Sequence, residues 1–418
     1  MLHLVRDCVY AVGGPLLILA RRVRGKRSSS ITGRFGSIRV PRRDPARPRI
    51  LIHAVSLGEV NSIPAFVQAL LAREPEPEII IAAATDTGLA RALALFEKKH
   101  VVVRCPLDFS RSVARYLNAI SPDVVVLIEQ EIWPNFVRAC AKRGIPVAVV
   151  SGRLSDRSAR RYAKFGWLMQ ATLSKLAHVA VQDETFAKRF IAAGVPAARV
   201  SVTGSMKWDN IATDMHLPSA SDALATALGI DRSRPLIVAG STEPAEHPLL
   251  HNACPQGVQL LCAPRRPEWA EQAARDLPGC AMRSRGTIGN ATDRFLLDTT
   301  GELNAAYALA DVAVVGRSFG ELFGSNPIEP IAHGKATVIG QRTSDFEWCV
   351  PTLVAAGGLV QTNVEHVAAE LNALIHDPAR CAAIAERGLA TIKAMQGASR
   401  RNADLVCGLV QTIQNRCG

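Results

Sequence analysis

Ile50-Leu51-Ile52-His53-Ala54-Val55 is a short apolar run that breaks into Ser56-Leu57-Gly58-Glu59 and continues as a helical stretch over residues 60–71. A strand that ends in a glycine turn and hands a carboxylate to a helix start puts that carboxylate at the carboxyl edge of an α/β sheet, where such folds bind ligands. Glu59 is thereby a candidate catalytic base. Outward from this stretch, strand-like runs recur at 79–84, 101–104, 124–128, 147–150, 179–181 and 200–203, with helical segments between them. A second series follows at 236–239, 258–262, 295–297, 312–315 and 337–339. The alternation is that of a doubly wound parallel sheet. Two series predict an α/β chain of two Rossmann-like domains with a cleft between them. The expected boundaries are an N-terminal arm at 1–48, a first domain at 49–210, a linker at 211–234 and a second domain at 235–418. The linker is read from its Pro, Ser and Asp content and weak periodicity. The strongly helical end of the chain belongs to the second domain, with at least one helix expected to pack back across the junction.

At 418 residues and 48% hydrophobic side chains, the chain is long enough for two ordinary domains and too apolar to be disordered. Its net charge of +12 is unevenly placed: residues 1–49 hold twelve Lys and Arg against Asp7 and Asp44, which leaves only +2 for everything after Arg49. The arm opens with an apolar stretch, 9–20, interrupted by Gly13-Gly14-Pro15 and followed by Arg21-Arg22-Val23-Arg24-Gly25-Lys26-Arg27. A spanning helix needs about 20 apolar residues, so residues 1–27 read as an interfacial anchor backed by a polybasic segment drawn to anionic lipid. In a secretory signal the positive charge would precede the apolar run. Here it follows, which favours the cytoplasmic face of an inner membrane. An ordinary first helix with a solvated basic turn is the plainer alternative. A nearly neutral body with 5% aromatic residues argues against a nucleic-acid partner. The ten cysteines include no C-x-x-C pair and no histidine at ligand spacing, so they read as reduced, mostly buried thiols, with no metal site and no cofactor expected.

Several strand ends carry candidate chemistry. Residues 124–128 lead into Glu129-Gln130-Glu131-Ile132-Trp133-Pro134-Asn135, and two carboxylates just after a buried strand must be solvated, paired or used. Ser151-Gly152-Arg153-Leu154-Ser155 follows the next strand, with Ser155 as a helix cap ahead of Arg157, Arg160, Arg161 and Lys164. That basic face meets acidic groups or is simply solvated. Gly204-Ser205-Met206-Lys207-Trp208-Asp209 closes the first series, with Lys207 an anion contact or a linker residue. In the second series, Gly240-Ser241-Thr242 suits an anion or a helix start, and Arg265-Arg266 suits a phosphate or solvent. Gly324-Ser325-Asn326-Pro327-Ile328-Glu329-Pro330 opens a helix at which amides suit a phosphate, while Glu329 either accepts from sugar hydroxyls or favours the helix dipole.

Taken together these stretches resemble the Kdo transferase family, the 3-deoxy-D-manno-octulosonic acid transferases of lipopolysaccharide assembly. The resemblance rests on motifs in the family's order: His53-Ala54-Val55-Ser56 with Gly58-Glu59; residues 85–88; residues 129–135; residues 151–155; residues 204–209; Gly240-Ser241-Thr242; Pro264-Arg265; Asp298-Thr299 with Gly301-Glu302-Leu303; and Asn326-Pro327-Ile328-Glu329-Pro330. It spans nearly the whole chain, and no single motif carries it. The departures gather in the second domain. Phe323-Gly324-Ser325 stands where the family has Gly-Gly-His, Arg317 replaces a glycine, Arg265-Arg266-Pro267 replaces Arg-His-Pro, and the acidic run after Ser-Thr is reduced to Glu243-Pro244-Ala245-Glu246.

The resemblance implies the two-domain GT-B glycosyltransferase fold, CMP-Kdo as donor, a lipid A precursor as acceptor, and inversion at the anomeric centre. It makes Glu59 the general base, with Glu131 nearby to orient the acceptor or support charge. Ser241, Thr242, Arg265, Gly324 and Asn326 then serve the donor, with Glu329 on the ribose. Ser56, Gly58, Arg153 and Lys207 face the acceptor, and no metal is implied. Two other readings compete: a GT-B transferase using a UDP-sugar on another lipid or glycan, and a catalytically silent membrane-bound homologue.

Overall fold

The computed structural model describes residues 32–164, 166–212, 218–286 and 292–417. The arm at 1–27 lies outside the described residues. The chain divides into two compact units, Met1–Asn210 with Met395–Gly418, and Ile211–Ala394.

The first unit is built on a seven-stranded sheet, β1 (Arg49–His53), β2 (Glu78–Ala83), β3 (Val101–Arg104), β4 (Val124–Ile128), β5 (Val147–Gly152), β6 (His178–Val181) and β7 (Val200–Val202), in the order β3-β2-β1-β4-β5-β6-β7. Every pairing is parallel. Such a sheet is covered on both faces, which is why every residue of β1 and β4 is buried and β4 is a continuous apolar run. Chain order runs one way from β1 and the other way from β4. The gap between the carboxyl ends of those two strands is therefore the switch point at which doubly wound sheets bind ligands.

The second unit repeats the plan with β8 (Leu236–Thr242), β9 (Gln259–Pro264), β10 (Ala281–Met282), β11 (Arg294–Leu296), β12 (Val312–Val315), β13 (Ala336–Ile339) and β14 (Val360–Gln361), ordered β10-β11-β9-β8-β12-β13-β14 and again parallel. Its switch point lies between β8 and β12. The two-residue strands β10 and β14 are too short to leave a periodic signal, and the sequence reading missed both.

The units differ from the expected boundaries in two places. The stretch expected to be a linker contains the helix Pro218–Leu228, whose Leu224, Ala225 and Leu228 are buried with Leu236 and Val238 in the core of the second unit. Small and polar residues fill the rest of that helix, so its apolar stripe is weak and it reads as loop. At the other end, the helix Ala398–Cys417 packs on the first unit. Ala403, Val406 and Val410 are buried with Ile50, Ile52, Val124 and Val126, each valine or isoleucine contributing roughly 1.5–3 kcal/mol. The helix start is fixed by Asp209, whose carboxylate accepts from the amides of Gly397 and Ser399, and by Arg401, which donates to the Thr203 carbonyl at 2.8 Å.

Candidate active site

In the first unit, β1 ends at His53 and the helix Leu57–Ser62 begins four residues later, with Ser56 as its cap. Glu59 sits in the first turn, and a residue there ordinarily points its carboxylate to solvent. Here it folds back and is buried, 6% exposed. Val55 N donates to Oε2 at 2.8 Å and Ser56 Oγ donates to Oε1 at 2.8 Å, while Glu59 N donates weakly to Ser56 Oγ at 3.4 Å. This is a variant of the reciprocal capping box. The turn beneath it is pinned by Thr85, whose hydroxyl donates to Val55 O at 3.2 Å and accepts from Gly88 N at 3.0 Å.

Across the switch point, Glu129 follows β4 with φ of 57°, a left-handed conformation that turns the chain sharply and brings Glu131 toward Glu59. Trp133 Nε1 donates to Glu131 Oε2 at 2.9 Å, and Lys207 Nζ pairs with Glu129 Oε1 at 2.9 Å. Three carboxylates thus share one strand edge, and one of them is neutralised by a lysine. Burial, and then the charge of Glu131, push the Glu59 carboxyl up to about 8, against the two hydrogen bonds that favour its ionised form. Burial also raises Glu131, opposed by the indole. Behind them His53 is fully buried, its ring edge-on to Trp133 at 4.7 Å, and desolvation drives its pKa down to about 3, so it is neutral.

In the second unit, Ser241 interrupts β8 with φ of 58° and a register shift, so that Ser241 turns outward and Thr242 turns in. Ser241 and Arg265 line a cavity of about 210 Å³ with Leu297, Thr299, Gly301 and Leu303. Arg265 is held by its backbone, Arg265 N donating to Thr242 O at 2.9 Å, and its exposed guanidinium is close enough to lower the Glu329 carboxyl, which burial raises. Asn326 Nδ2 donates to Glu329 Oε1 at 3.0 Å, fixing that carboxylate. Beside Ser241, Glu246 is buried and accepts from the backbone of Arg317, Ser318 and Phe319.

Comparison with known proteins places the chain in a family. The family "3-Deoxy-D-manno-octulosonic-acid transferase (kdotransferase)" matches residues 29–210. The 3-deoxy-D-manno-octulosonic acid transferase of Bordetella pertussis is 32% identical over 406 residues, 92% of this chain and 93% of the relative. The chain belongs to the Kdo transferase family. The Kdo transferase of Haemophilus influenzae is 30% identical over 375 residues, 87% of each chain, and that of Chlamydia pneumoniae 25% identical over 93% of this chain and 91% of its own length. A glycosyltransferase from Rickettsia africae superposes with a TM-score of 0.60 over 87% of this chain and 99% of its own, at 12% identity. The UDP-GlcNAc 2-epimerase of Neisseria meningitidis superposes with a TM-score of 0.58 over 87% and 100%, also at 12% identity. At that identity the likeness shows the two-domain GT-B fold alone. The protein is therefore a glycosyltransferase, a Kdo transferase of lipopolysaccharide biosynthesis.

In this Kdo transferase the structure brings Glu59, Glu131, Ser56 and Gly58 to one switch point and Ser241, Arg265, Gly324, Asn326 and Glu329 to the other unit's strand edge. Two of the expected contacts are placed differently. The Thr242 hydroxyl is wholly buried and hydrogen-bonded to His247 Nε2 at 2.9 Å, so it is not presented to a ligand. A β-bulge reverses the inward and outward alternation there, which no sequence period reveals. Lys207 is engaged with Glu129 rather than standing open to an anion. Arg153 follows β5 half-buried, its amide donating to Glu129 O at 3.4 Å. Sequence reasoning passed over Glu246 and Trp133. Glu246 reads as part of a reduced acidic run, and Trp133 only as a member of the run 129–135. Among the described residues no group of three or more His, Cys, Asp or Glu is arranged to hold a metal.

Proposed function

We propose that this enzyme transfers Kdo from CMP-Kdo to a lipid A precursor, lipid IVA, with inversion, and that Glu59 is the general base. The observation that carries the reading is a carboxylate buried at a switch point, held by Val55 N and Ser56 Oγ, with a pKa of about 8. A base with a pKa near the working pH accepts a proton far better than an ordinary carboxylate does, and the product is a neutral acid that its site already favours. As the acceptor glucosamine hydroxyl attacks the anomeric carbon, Glu59 takes its proton. The new C–O bond forms, and the bond to CMP breaks with its electron pair leaving on the phosphate.

Glu131, held by Trp133, orients the acceptor, with Ser56, Gly58 and Arg153 on the same side. Glu129 shapes that edge, and Lys207 compensates its charge. In the second unit Ser241, Arg265 and the backbone amide of Asn326 take the phosphate, on a loop turned by Gly324, with Glu329 on the ribose. Residues 1–27 hold the enzyme on the anionic cytoplasmic face of the inner membrane, where its lipid acceptor lies.

The test incubates the full chain with CMP-Kdo and lipid IVA beside Glu59→Gln. Wild type should yield Kdo-lipid and the variant should lose about 10²–10⁴-fold in rate, the range for removing a general base. Absence of product from wild type rejects the reading, and an active variant rejects the base. Deleting residues 1–27 should release the protein from anionic vesicles in a sedimentation assay. Unchanged co-sedimentation would count against the anchor.

A further inference from the structure

One carboxylate that the transfer reaction does not use holds the second switch point together. Glu246, with no exposed surface, opens the helix Glu246–Ala253. Its Oε2 accepts from Glu243 N at 2.9 Å and Arg317 N at 2.8 Å, and its Oε1 from Ser318 N at 2.8 Å and Phe319 N at 3.1 Å. One of these four amides lies just past β8, and three lie just past β12. Peptide N–H groups converging at such a strand edge are the groups that cradle a phosphate in doubly wound folds. Here an internal carboxylate fills the cradle.

The fit is close. A Cβ on Gly316 would stand 2.8 Å from Glu246 Oε2 and 2.5 Å from the Thr242 Cα, so the backbone approaches the carboxylate as nearly as glycine permits. Burial raises this carboxyl and the four amides oppose it. With two N–H donors on each oxygen, no lone pair is left for a proton, and the ionised form is the one this geometry accommodates. Arg317 itself takes φ of 59°, the left-handed turn that a glycine would adopt without cost, and the carboxylate on its amide holds it there.

We infer that Glu246 is a positioning residue for the donor, a built-in anion that clamps the ends of β8 and β12 and so sets the Ser241 turn and the 317–326 loop to receive the nucleotide sugar. The inference rests on the second unit being the donor half. From the clamp the hold passes along the loop: Gly324 N donates to Arg317 O at 2.7 Å, Ser325 Oγ donates to Ser241 O at 3.5 Å, and Asn326 fixes Glu329. While Glu246 occupies the four amides they are closed to the donor phosphate, which leaves Ser241, Arg265 and the Asn326 amide as its partners.

The experiment uses the full chain with Glu246→Gly and Glu246→Gln. In Glu246→Gly the four amides face an empty cradle the size of a small carboxylate, and formate should refill it. Added formate should raise the Tm of Glu246→Gly and leave that of wild type unmoved. The KM for CMP-Kdo should rise about 10-fold or more, a loss typical of one buried charged hydrogen-bond set, with the KM for lipid IVA within about twofold of wild type, and formate should restore it. Glu246→Gln, which keeps the shape but turns an NH₂ toward the amides, should show the same donor-selective rise without rescue. If Glu246→Gly does not fold, the Glu246→Gln kinetics decide. A folded Glu246→Gly indifferent to formate, or variants that lose donor and acceptor affinity equally, would overturn the clamp. The formate-dependent Tm needs no turnover, so it separates failure of the clamp from failure of the Kdo transfer reading.

Discussion

Two buried glutamates, Glu59 and Glu246, stand at the same place in two sheets of the same design, each in the first turn of the helix that follows the sheet's first strand. Their surroundings make them opposites. Glu59 receives one amide and one hydroxyl, and faces the charges of Glu131 and Glu129. Glu246 receives four amides, and no acidic group is among the causes that raise its pKa. The first carboxylate is short of donors and near its neighbours' charge, so its proton is exchangeable around neutral pH. The second is saturated, so its charge is fixed and structural. Burial alone therefore does not make a catalytic carboxylate; the number and sign of the groups around it decide.

If the second switch point is sealed as tightly as its hydrogen bonds indicate, Gly316→Ala should be strongly damaging. Its added methyl meets backbone, the Ser241 carbonyl at 2.7 Å and the Thr242 Cα at 2.5 Å, neither of which can rotate away. A loss of about 3 kcal/mol or more is expected, at the upper end for overpacking, read from chemical denaturation. A near-neutral result would mean that the clamp is loose and would weaken the contrast.

At the first switch point the expected effect lies in titration. Glu131→Gln removes the largest charge that raises Glu59, so the Glu59 pKa should fall. Ionised Glu59 is the active base, hence kcat/KM rises with pH toward about 8 in wild type, and in the variant that limb should move to lower pH. Stability moves with it. Because the folded pKa exceeds the ordinary value of 4.5, the native state keeps a proton that the unfolded chain has lost, and stability falls as pH rises from about 4.5 to about 8. That window should narrow from its upper end in Glu131→Gln. A limb that stays in place would show that the charge of Glu131 does not raise Glu59.

The sequence made the two sheets legible because parallel strands buried on both faces are unbroken, valine-rich apolar runs, as in residues 124–128 and 312–315. It made Glu59 legible because a glycine turn follows such a run. It did not disclose Glu246. An acid in a helix's first turn is already explained by the dipole, and only the fold shows that amides seventy residues away converge on it. Thr242 was misplaced for a related reason. A single residue at positive φ reverses which side chain faces inward, and Ser241 carries no mark of that in its identity. The sequence reading groups the C-terminal helices with the second domain while expecting at least one to pack back, and the final helix is that one, anchored to the first unit by Asp209 and Thr203.

The smallest expected effect carries the sharpest distinction between the two switch points. Gly58, beside the base, has an open surface: a Cβ there would find nothing nearer than Ser56 Oγ at 4.0 Å, and its backbone is ordinary helix. Neither turn geometry nor packing requires a glycine at this position. Replacing it with alanine should therefore stabilise the protein slightly, by about 0.5–1 kcal/mol, because glycine in a helix costs that much entropy. If the acceptor lies against this turn as proposed, the same methyl should raise the KM for lipid IVA while the KM for CMP-Kdo stays unchanged. Stability and acceptor affinity would then move in opposite directions at Gly58, whereas the methyl at Gly316 only costs stability. A Gly58→Ala enzyme more stable than wild type with an unaltered acceptor KM would remove the acceptor from this turn and leave Glu59 to act on a hydroxyl approaching from another side.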